Sequence, residues 1–479
     1  MAARYPLIEE IHMAPEPLWC FEVFANRPYS FFLDSGMDPG KLGRYSFMGS
    51  DPFLVLRSRG DEITVIRNGT EEIRRGNPFD VLREFLDLYS LEVQQAPVPF
   101  VGGAVGYFSY DLGRFIERLP DTAVDDLQLP ECYLAFYDAV VAYDHLAGKT
   151  FVVSTGFPEL DENSRLRRAE DRLKELRNRI LLSPPPQEIK EAPADKGARL
   201  RGNFTHDNYL KAVETTREYI CAGDIFQVNL SQRFEADITV PPYELYKRLR
   251  RINPAPFANY FGFDGVSIVG ASPERFLKLR GDRVETRPIK GTKPRGKTPR
   301  QDDELARSLL ASVKDRAENV MIVDLERNDI GRVCRYGTVK VTELAILETY
   351  PTVFHLTSTV VGQLGEGRDR IDLLKATFPG GSITGAPKVR SMEIIDELEP
   401  TRRSVYTGSL GYLSFNGDMD LDIVIRTIIV KDGRAHFQVG GAITYDSDPE
   451  AEYQETLDKG RAMMQALGLY PDSDVEVLS

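Results

Sequence analysis

Four cysteines in 479 residues, at 20, 132, 221 and 334, supply no pair close enough for a C-x-x-C metal or redox motif. A chain this long needs no disulfide framework, so they read as reduced thiols in a reducing compartment. No run of about 18 apolar residues is present to cross a bilayer. The opening MAARYPLIEEIHMAPEP lacks the apolar centre of a signal peptide. The expected location is the cytoplasm, with no membrane contact. Basic charge is in deficit as well. A net charge of −13 argues against nucleic acid and anionic lipid as partners. If the substrate is an anion, placed Lys and Arg side chains or a metal must supply the positive charge. There is no G-x-S-x-G, no P-loop and no G-x-C-x-G elbow, which leaves a Ser or Cys hydrolase and a P-loop NTPase without support. Internal repeats and heptad arrays are also missing.

What is present suits a folded enzyme. Hydrophobic residues at 42% are enough for a real core, and the length gives a prior of about two to four domains. The stretch SPPPQEIKEAPADKGARL, residues 183–200, reads as an exposed linker. It separates a first domain, 1–182, from a second, 201–479. In the first, Arg59-Gly60-Asp61 and Asn68-Gly69 mark hairpin turns, and Asp161 to Leu182 reads as a charged helix. In the second, Thr205 is placed to cap a helix that stops at Gly223. The segment 408–446 reads as one meander with turns at Asn416-Gly417 and Asp432-Gly433. Asp448-Pro449 opens the last helix.

Several patterns in the second domain can carry chemistry. A helix expected from about Glu304 to Leu325 has an apolar stripe of Leu305, Leu309, Val313, Val320 and Met321. Asp315 and Glu318 fall on its other side. Glu452, Glu455 and Lys459 share one face of the last helix. Two such acidic pairs are either solvated surface or the oxygen donors of a hard cation such as Mg²⁺. Glycine-rich GGSITGAPK, 380–388, leads into a helix at Pro387; it is an ordinary helix start or an anion site. Arg426 lies in apolar DIVIRTII, paired with Asp420, Asp422 or another residue of the domain, or clamping a substrate carboxylate. Gly440-Gly441 would let a ligand approach backbone amides closely. The stretch 285–300 holds six basic residues after Glu285. It is either a mobile basic loop for RNA or an acidic partner, or the setting of Lys290, whose neighbouring cations would favour a neutral, nucleophilic amine. His355 is the one histidine in a strongly patterned segment.

Together these segments resemble the chorismate-utilising enzymes over 205–467. The matches are AGDIFQVNLSQRF, GASPERFL, RPIKGTKPRG, KDRAENVMIVDLERNDIGRV, FHLTSTV, FPGGSITGAPKVRSMEIIDELEP, GSLGYLSF, IVIRT, GGAI and EAEYQETLDK, all in one order. PFVGGAVGYFSYD in the first domain is similar to the large subunits of anthranilate synthase and aminodeoxychorismate synthase. The resemblance implies an α+β fold: two domains, with large antiparallel sheets facing each other and helices outside. It implies that Glu318 and Glu455 hold Mg²⁺, supported by Asp315 and Glu452. Arg426, Lys459, Tyr412 and the Gly440, Gly441 and Ala442 backbone would bind a substrate carboxylate, with Ser382 and Thr384 in an anion-binding loop. His355 would lie near the ring, and Glu274 would be the general acid. Gln227 stands where members that add water carry a lysine. Anthranilate synthases typically read PIAGT where this chain has Pro288-Ile289-Lys290-Gly291-Thr292. The lysine resembles the aminodeoxychorismate branch, in which it is the nucleophile. The substrates implied are chorismate and ammonia, the latter from a separate glutaminase subunit. Anthranilate synthesis is the alternative activity, and a non-catalytic RNA-binding protein the alternative of another class. Leu33-Asp34-Ser35 resembles a tryptophan-binding element of the family.

Overall fold

The computed structural model describes residues 4–12, 14–92, 96–183, 200–238, 240–351, 353–469 and 475–477. Of the segment read as a linker, 184–199 lie outside the described residues.

Local chemistry sets the elements. Asn68 and Gly69 adopt φ of 49° and 75°, the left-handed pair that a tight hairpin needs, and join strands Glu62–Arg67 and Thr70–Arg75. Asp161, Thr205 and Asp448 each accept a backbone N–H and so start the helices Glu162–Leu181, His206–Ala222 and Pro449–Ala466. The expected helix from Glu304 to Leu325 is two helices, Pro299–Leu310 and Val313–Gly331. Ser312 accepts from Asp315 N and restarts the chain in a new direction. The supposed stripe therefore breaks: Leu309 is buried, whereas Val313 and Val320 are exposed.

Among the described residues the strands form two sheets, of 13 and 12 strands. Their facing sides share one core, in which Phe31, Phe47 and Phe261 of the first sheet meet Leu54, Tyr107, Phe136 and Leu413 of the second. A second core packs the outer face of the 13-stranded sheet beneath Leu173 and Leu176 of Glu162–Leu181, Leu245 and Leu249 of Pro242–Ile252, and Met463 and Met464 of Pro449–Ala466. The architecture is thus α+β, with facing antiparallel sheets. Both sheets draw strands from both halves of the chain. Phe31–Asp34 pairs with Phe257–Phe263, and Gly103–Phe108 with Ser409–Ser414.

The segment read as a single meander is divided between the sheets. Ser409–Ser414 and Met419–Asp422 pair in the 12-stranded sheet, whereas Thr427–Lys431 and Arg434–Ile443 pair in the other. The chain changes sheets over residues 423–426. Arg426 takes up the turn with φ of 53°, so it sits at a crossing and not inside an apolar strand.

A buried ion pair holds this region. Arg403 and Glu399 are 2.6 Å apart, with side chains 1% and 2% exposed. Arg403 also donates to Ile383 O and Asn229 O, while Glu399 accepts from Ser231 N and Oγ. Removing one partner would strand a charge in the core, at a cost of about 3–5 kcal/mol. Arg403→Leu should accordingly lower the denaturation midpoint sharply, and Arg403→Leu with Glu399→Leu should recover most of the loss. Equal losses in the single and double variants would show that uncompensated charge is not the cause.

Candidate active site

Lys290 lies on strand Ile289–Pro294, which pairs with Val353–Gln363 through an irregular register. Its neighbour Gly291 has φ of 83°, and a Cβ there would lie 3.0 Å from Asp315 Cβ. Glycine thus lets the start of helix Val313–Gly331 close over the lysine strand. Lys290 is buried, and its amine titrates below the ordinary lysine value. Burial is the main cause and Lys459 adds to it, against the opposing pull of Glu318, Glu274 and Glu455. The expectation that neighbouring basic residues of 285–300 depress it is corrected. Arg287 is bound to Glu348 and Glu343, Arg295 to Asp302, Lys293 to Ser308 and Arg300 to Glu304. The cation that acts on Lys290 comes from the last helix.

Glu274, between strands Val266–Ser272 and Arg275–Arg280, is 4% exposed. Burial pushes its carboxyl up to about 7, while the Ser382 hydroxyl, Lys290 and the Ile289 N–H favour the ionised form. A carboxyl in that range gives and takes protons near neutrality.

The carboxylates come from two helices. Glu318 faces Lys290 from Val313–Gly331, and burial raises it despite Lys290 and Lys314. Against its own burial, Glu455 is held below the ordinary value by Lys459, 2.6 Å away. Burial raises Glu452, whose Oε1 accepts from Ser447 Oγ at 2.6 Å and whose Oε2 is buried with no partner. Gly441 explains their approach to the sheet. A Cβ there would meet Glu452 Oε2 at 3.1 Å and Glu455 Oε1 at 3.3 Å. Asp315 remains beside Gly291, at the start of its helix. Among the described residues no group of three or more His, Cys, Asp or Glu side chains is gathered as a ready metal cage. A cation here would use a few carboxylate oxygens and complete its shell with water and substrate.

Arg426 has no ion-pair partner among the described residues; its guanidinium donates to Lys459 O. The pairing with Asp420 or Asp422 is corrected. Asp420 binds Arg275 at 2.9 Å, and Asp422 accepts from Leu410 N and Asn259. Burial lowers the Arg426 pKa, and Glu455 and partly buried Tyr406 oppose the shift. Lys459 Nζ donates to Gly440 O at 2.8 Å, so the last helix, Arg426 and the Gly440–Ala442 strand meet. Burial pushes His355 down to about 4, and its Nδ1 lies 2.8 Å from Thr292 Oγ1. It is an uncharged imidazole at neutral pH. Ser382 Oγ is buried without a hydrogen bond of good geometry and faces Glu274. Thr384 differs: its hydroxyl donates to Gly380 O and is spent inside the loop. Pro387 stands one residue before helix Lys388–Leu398, and Gly385–Ala386 first pairs with Gln227–Val228. The glycine-rich stretch thus reaches the helix start through this two-residue strand, with Pro387 as the N-cap and not the first helical residue. Gln227 is fully buried with neither amide atom partnered, so its hydrogen bonds are left for a ligand or water.

Tyr412 is not in this group. Its ring packs on Phe100 and Phe47, at 4.7 and 5.3 Å between centroids, in a separate cavity of about 300 Å³ between the sheets. It lies on strand Ser409–Ser414 of the 12-stranded sheet, and Arg426 is not among the residues that line this cavity. Leu33 and Asp34 line the same cavity, but Asp34 is engaged by Tyr246, Arg250 and Ser46. The tyrosine that acts electrostatically on Arg426 is Tyr406. Sequence reasoning missed it, and it missed Glu326 and Asp329, which sit on the buried face of Val313–Gly331. Their i, i+3 spacing in DLERND was the available signal, but both lie past Leu325, where the expected helix ended, whereas the helix runs on to Gly331.

A rate that depends on protonated Glu274 should fall about tenfold per pH unit once pH exceeds about 7. Below that pH the acid is already loaded. Glu274→Gln should remove this limb and cost about 10²–10⁴ in rate. An unchanged profile in Glu274→Gln would take the acid role from this residue.

The model of the chorismate binding enzyme family matches residues 31–465. Aminodeoxychorismate synthase component 1 of Bacillus subtilis is 40% identical over 472 residues, covering 98% of both chains. Anthranilate synthase component 1 of Cereibacter sphaeroides is 41% identical over 447 residues, covering 92% of this chain and 89% of that one. The crystal structure of anthranilate synthase component I from Streptococcus pneumoniae superposes with a TM-score of 0.76 at 34% identity, covering 88% of this chain and 92% of that one. The chain belongs to the chorismate binding enzymes and is a chorismate-utilising enzyme.

Proposed function

We propose that the chain is the large component of an aminodeoxychorismate synthase, converting chorismate and ammonia into 4-amino-4-deoxychorismate and water. Overall identity favours neither this activity nor anthranilate synthesis, because relatives of both kinds are 40–41% identical. The observation that carries the reading is Lys290, a buried amine of lowered pKa beside Glu274 and Glu318. A lysine so placed is a nucleophile in waiting.

The chemistry follows from the side chains. Arg426 and Lys459 set positive charge where an acidic protein would otherwise repel a dicarboxylate. Neutral Lys290 attacks ring C2. The double bonds shift, and the C4 oxygen leaves as water with the proton of Glu274. Ammonia then attacks C4, the double bonds shift back and lysine is expelled as the neutral amine. The surplus proton on the new nitrogen returns to Glu274. Neutral His355 lies beside this chemistry without adding charge, and the orphan amide of Gln227 offers hydrogen bonds without the basicity needed to activate water. Magnesium fits the carboxylates of Glu318 and Glu455, with Glu452 Oε2 free to join or to hold a coordinated water. Bound there, it would stabilise charge developing on the substrate's ring carboxylate.

Ammonia would come from a separate glutaminase. A glutaminase needs an activated thiolate, and burial pushes Cys20 up to about 12, Cys334 up to about 11 and Cys132 higher still. Cys221 is exposed and lies in no nucleophile elbow. The pure chain should therefore use ammonium and ignore glutamine until a glutaminase subunit is added. Robust glutamine use by the chain alone would refute this.

The identity of the product tests the whole reading. With chorismate, ammonium and Mg²⁺, mass detection should find a product that keeps the enolpyruvyl group and carries nitrogen at C4. Removing Mg²⁺ or introducing Lys290→Ala should suppress it. Anthranilate with released pyruvate would instead assign the chain to the second activity.

A further inference from the structure

Strand Ile289–Pro294 carries Lys290 on a bulge. Ile289 pairs with Thr357 and Thr292 with His355, so Lys290 and Gly291 together stand opposite Leu356. Gly291 takes a left-handed φ of 83°, which lets the chain bend there. On its other edge, strand Val353–Gln363 meets a second irregularity. Glu343 pairs with Thr359 and Ile346 with Thr357, which sets Leu344 and Ala345 opposite Ser358. Ala345 has φ of 47° without glycine's freedom to adopt it. An extra residue in a strand interrupts the ladder and re-aims the side chains beside it. Buried backbone groups freed in this way need other partners.

One side chain serves both places. Asn319 lies fully buried on helix Val313–Gly331. Its Oδ1 accepts from the Ser358 hydroxyl, and Ser358 Oγ accepts from Ala345 N at 2.8 Å. Its Nδ2 donates to Leu356 O at 3.5 Å, opposite Lys290 and Gly291. Ser358 N also donates to Pro288 O at 3.1 Å, just ahead of the bulge. One helical turn before Asn319, Asp315 rests on Gly291, where a Cβ would lie 3.0 Å from Asp315 Cβ. The helix thus grips the bulge at positions i and i+4, with Glu318 between them.

We propose that Asn319 is a positioning residue: with Ser358 it locks the bulge that aims Lys290. Side-chain direction alternates along a strand, so a slip of one residue would send Lys290 to the opposite face of the sheet. Asn319 bonds to the two residues that stand opposite the extra ones, which fixes where the extra residues fall. Because Asn319 follows Glu318 on one helix, the same contacts set that carboxylate and the amine in one frame. The assignment rests on the proposed function only in giving Lys290 a part in the reaction; the lock on the bulge does not depend on it.

Hydrogen–deuterium exchange and steady-state rates of the full chain test the lock. Asn319→Ala should speed exchange over 287–294 and 343–347, while the distant hairpin 62–75 keeps its wild-type rate. Ser358→Ala removes both bonds of that hydroxyl and should speed the same segments; it serves if Asn319→Ala does not fold. In turnover of chorismate, kcat should fall about 10–100-fold with KM little changed, because aim is lost and substrate contacts are not. Introduced into Lys290→Ala, the Asn319→Ala change should cost no further rate. Unaltered exchange in both variants, or an equal loss of rate in the Lys290→Ala background, would overturn the proposal. If Lys290→Ala alone turns over chorismate like wild type, the chemistry assigned to Lys290 falls, and exchange alone decides whether Asn319 holds the bulge.

Discussion

The buried pair of Arg403 and Glu399 is the interaction on which the site's geometry depends. One guanidinium binds the carbonyls of Asn229 and Ile383, and its partner carboxylate binds Ser231. Through these bonds the strand carrying Gln227, the turn carrying Ser382 and the segment leading to Tyr406 are fixed to one another. A charge pair in a dry core contributes little net stability when complete and costs several kcal/mol when broken. It therefore serves registration more than strength, and it registers the parts that must converge on a small anion.

The same dryness produces the chemistry. Burial acts on each ionisable group by disfavouring its charged form, so it lowers Lys290 and His355 and raises Glu274 and Glu326. A neutral amine beside a protonated acid is the combination that nucleophilic displacement of a poor leaving group needs. Glu455 departs from the trend because Lys459, 2.6 Å away, holds its carboxyl below the ordinary value. Against a net charge of −13, Arg426 and Lys459 bring positive charge to the place where a dicarboxylate would bind.

Glycine permits the convergence at two points. Gly291 admits Asp315 and the start of one helix, and Gly441 admits the acidic face of another. A methyl group at Gly291 would press on Asp315 at the start of its helix, and one at Gly441 would push aside the carboxylate ends of Glu452 and Glu455.

Much of this was fixed locally and could be read directly. Thr205, Asp161 and Asp448 cap helices because the accepting side chain and the donating N–H are three residues apart. Asn68-Gly69 closes a hairpin because those two residues tolerate the left-handed region. The motifs around Lys290, Glu274, Glu318, Arg426 and Glu455 pointed to one site only through their resemblance to the chorismate-utilising enzymes, because each alone also fits an ordinary surface or core position. What only the tertiary structure decided is how such motifs face one another. The helix that restarts at Ser312 runs on to Gly331, with Glu326 on its buried face. The change of sheets at residues 423–426 put Arg426 at a crossing, and packing on Phe100 and Phe47 placed Tyr412 in a different cavity. Strand partners such as Phe31–Asp34 and Phe257–Phe263 lie more than 200 residues apart. Their pairing, and the burial that sets each pKa, depends on contacts across that distance, which no local pattern of side chains contains.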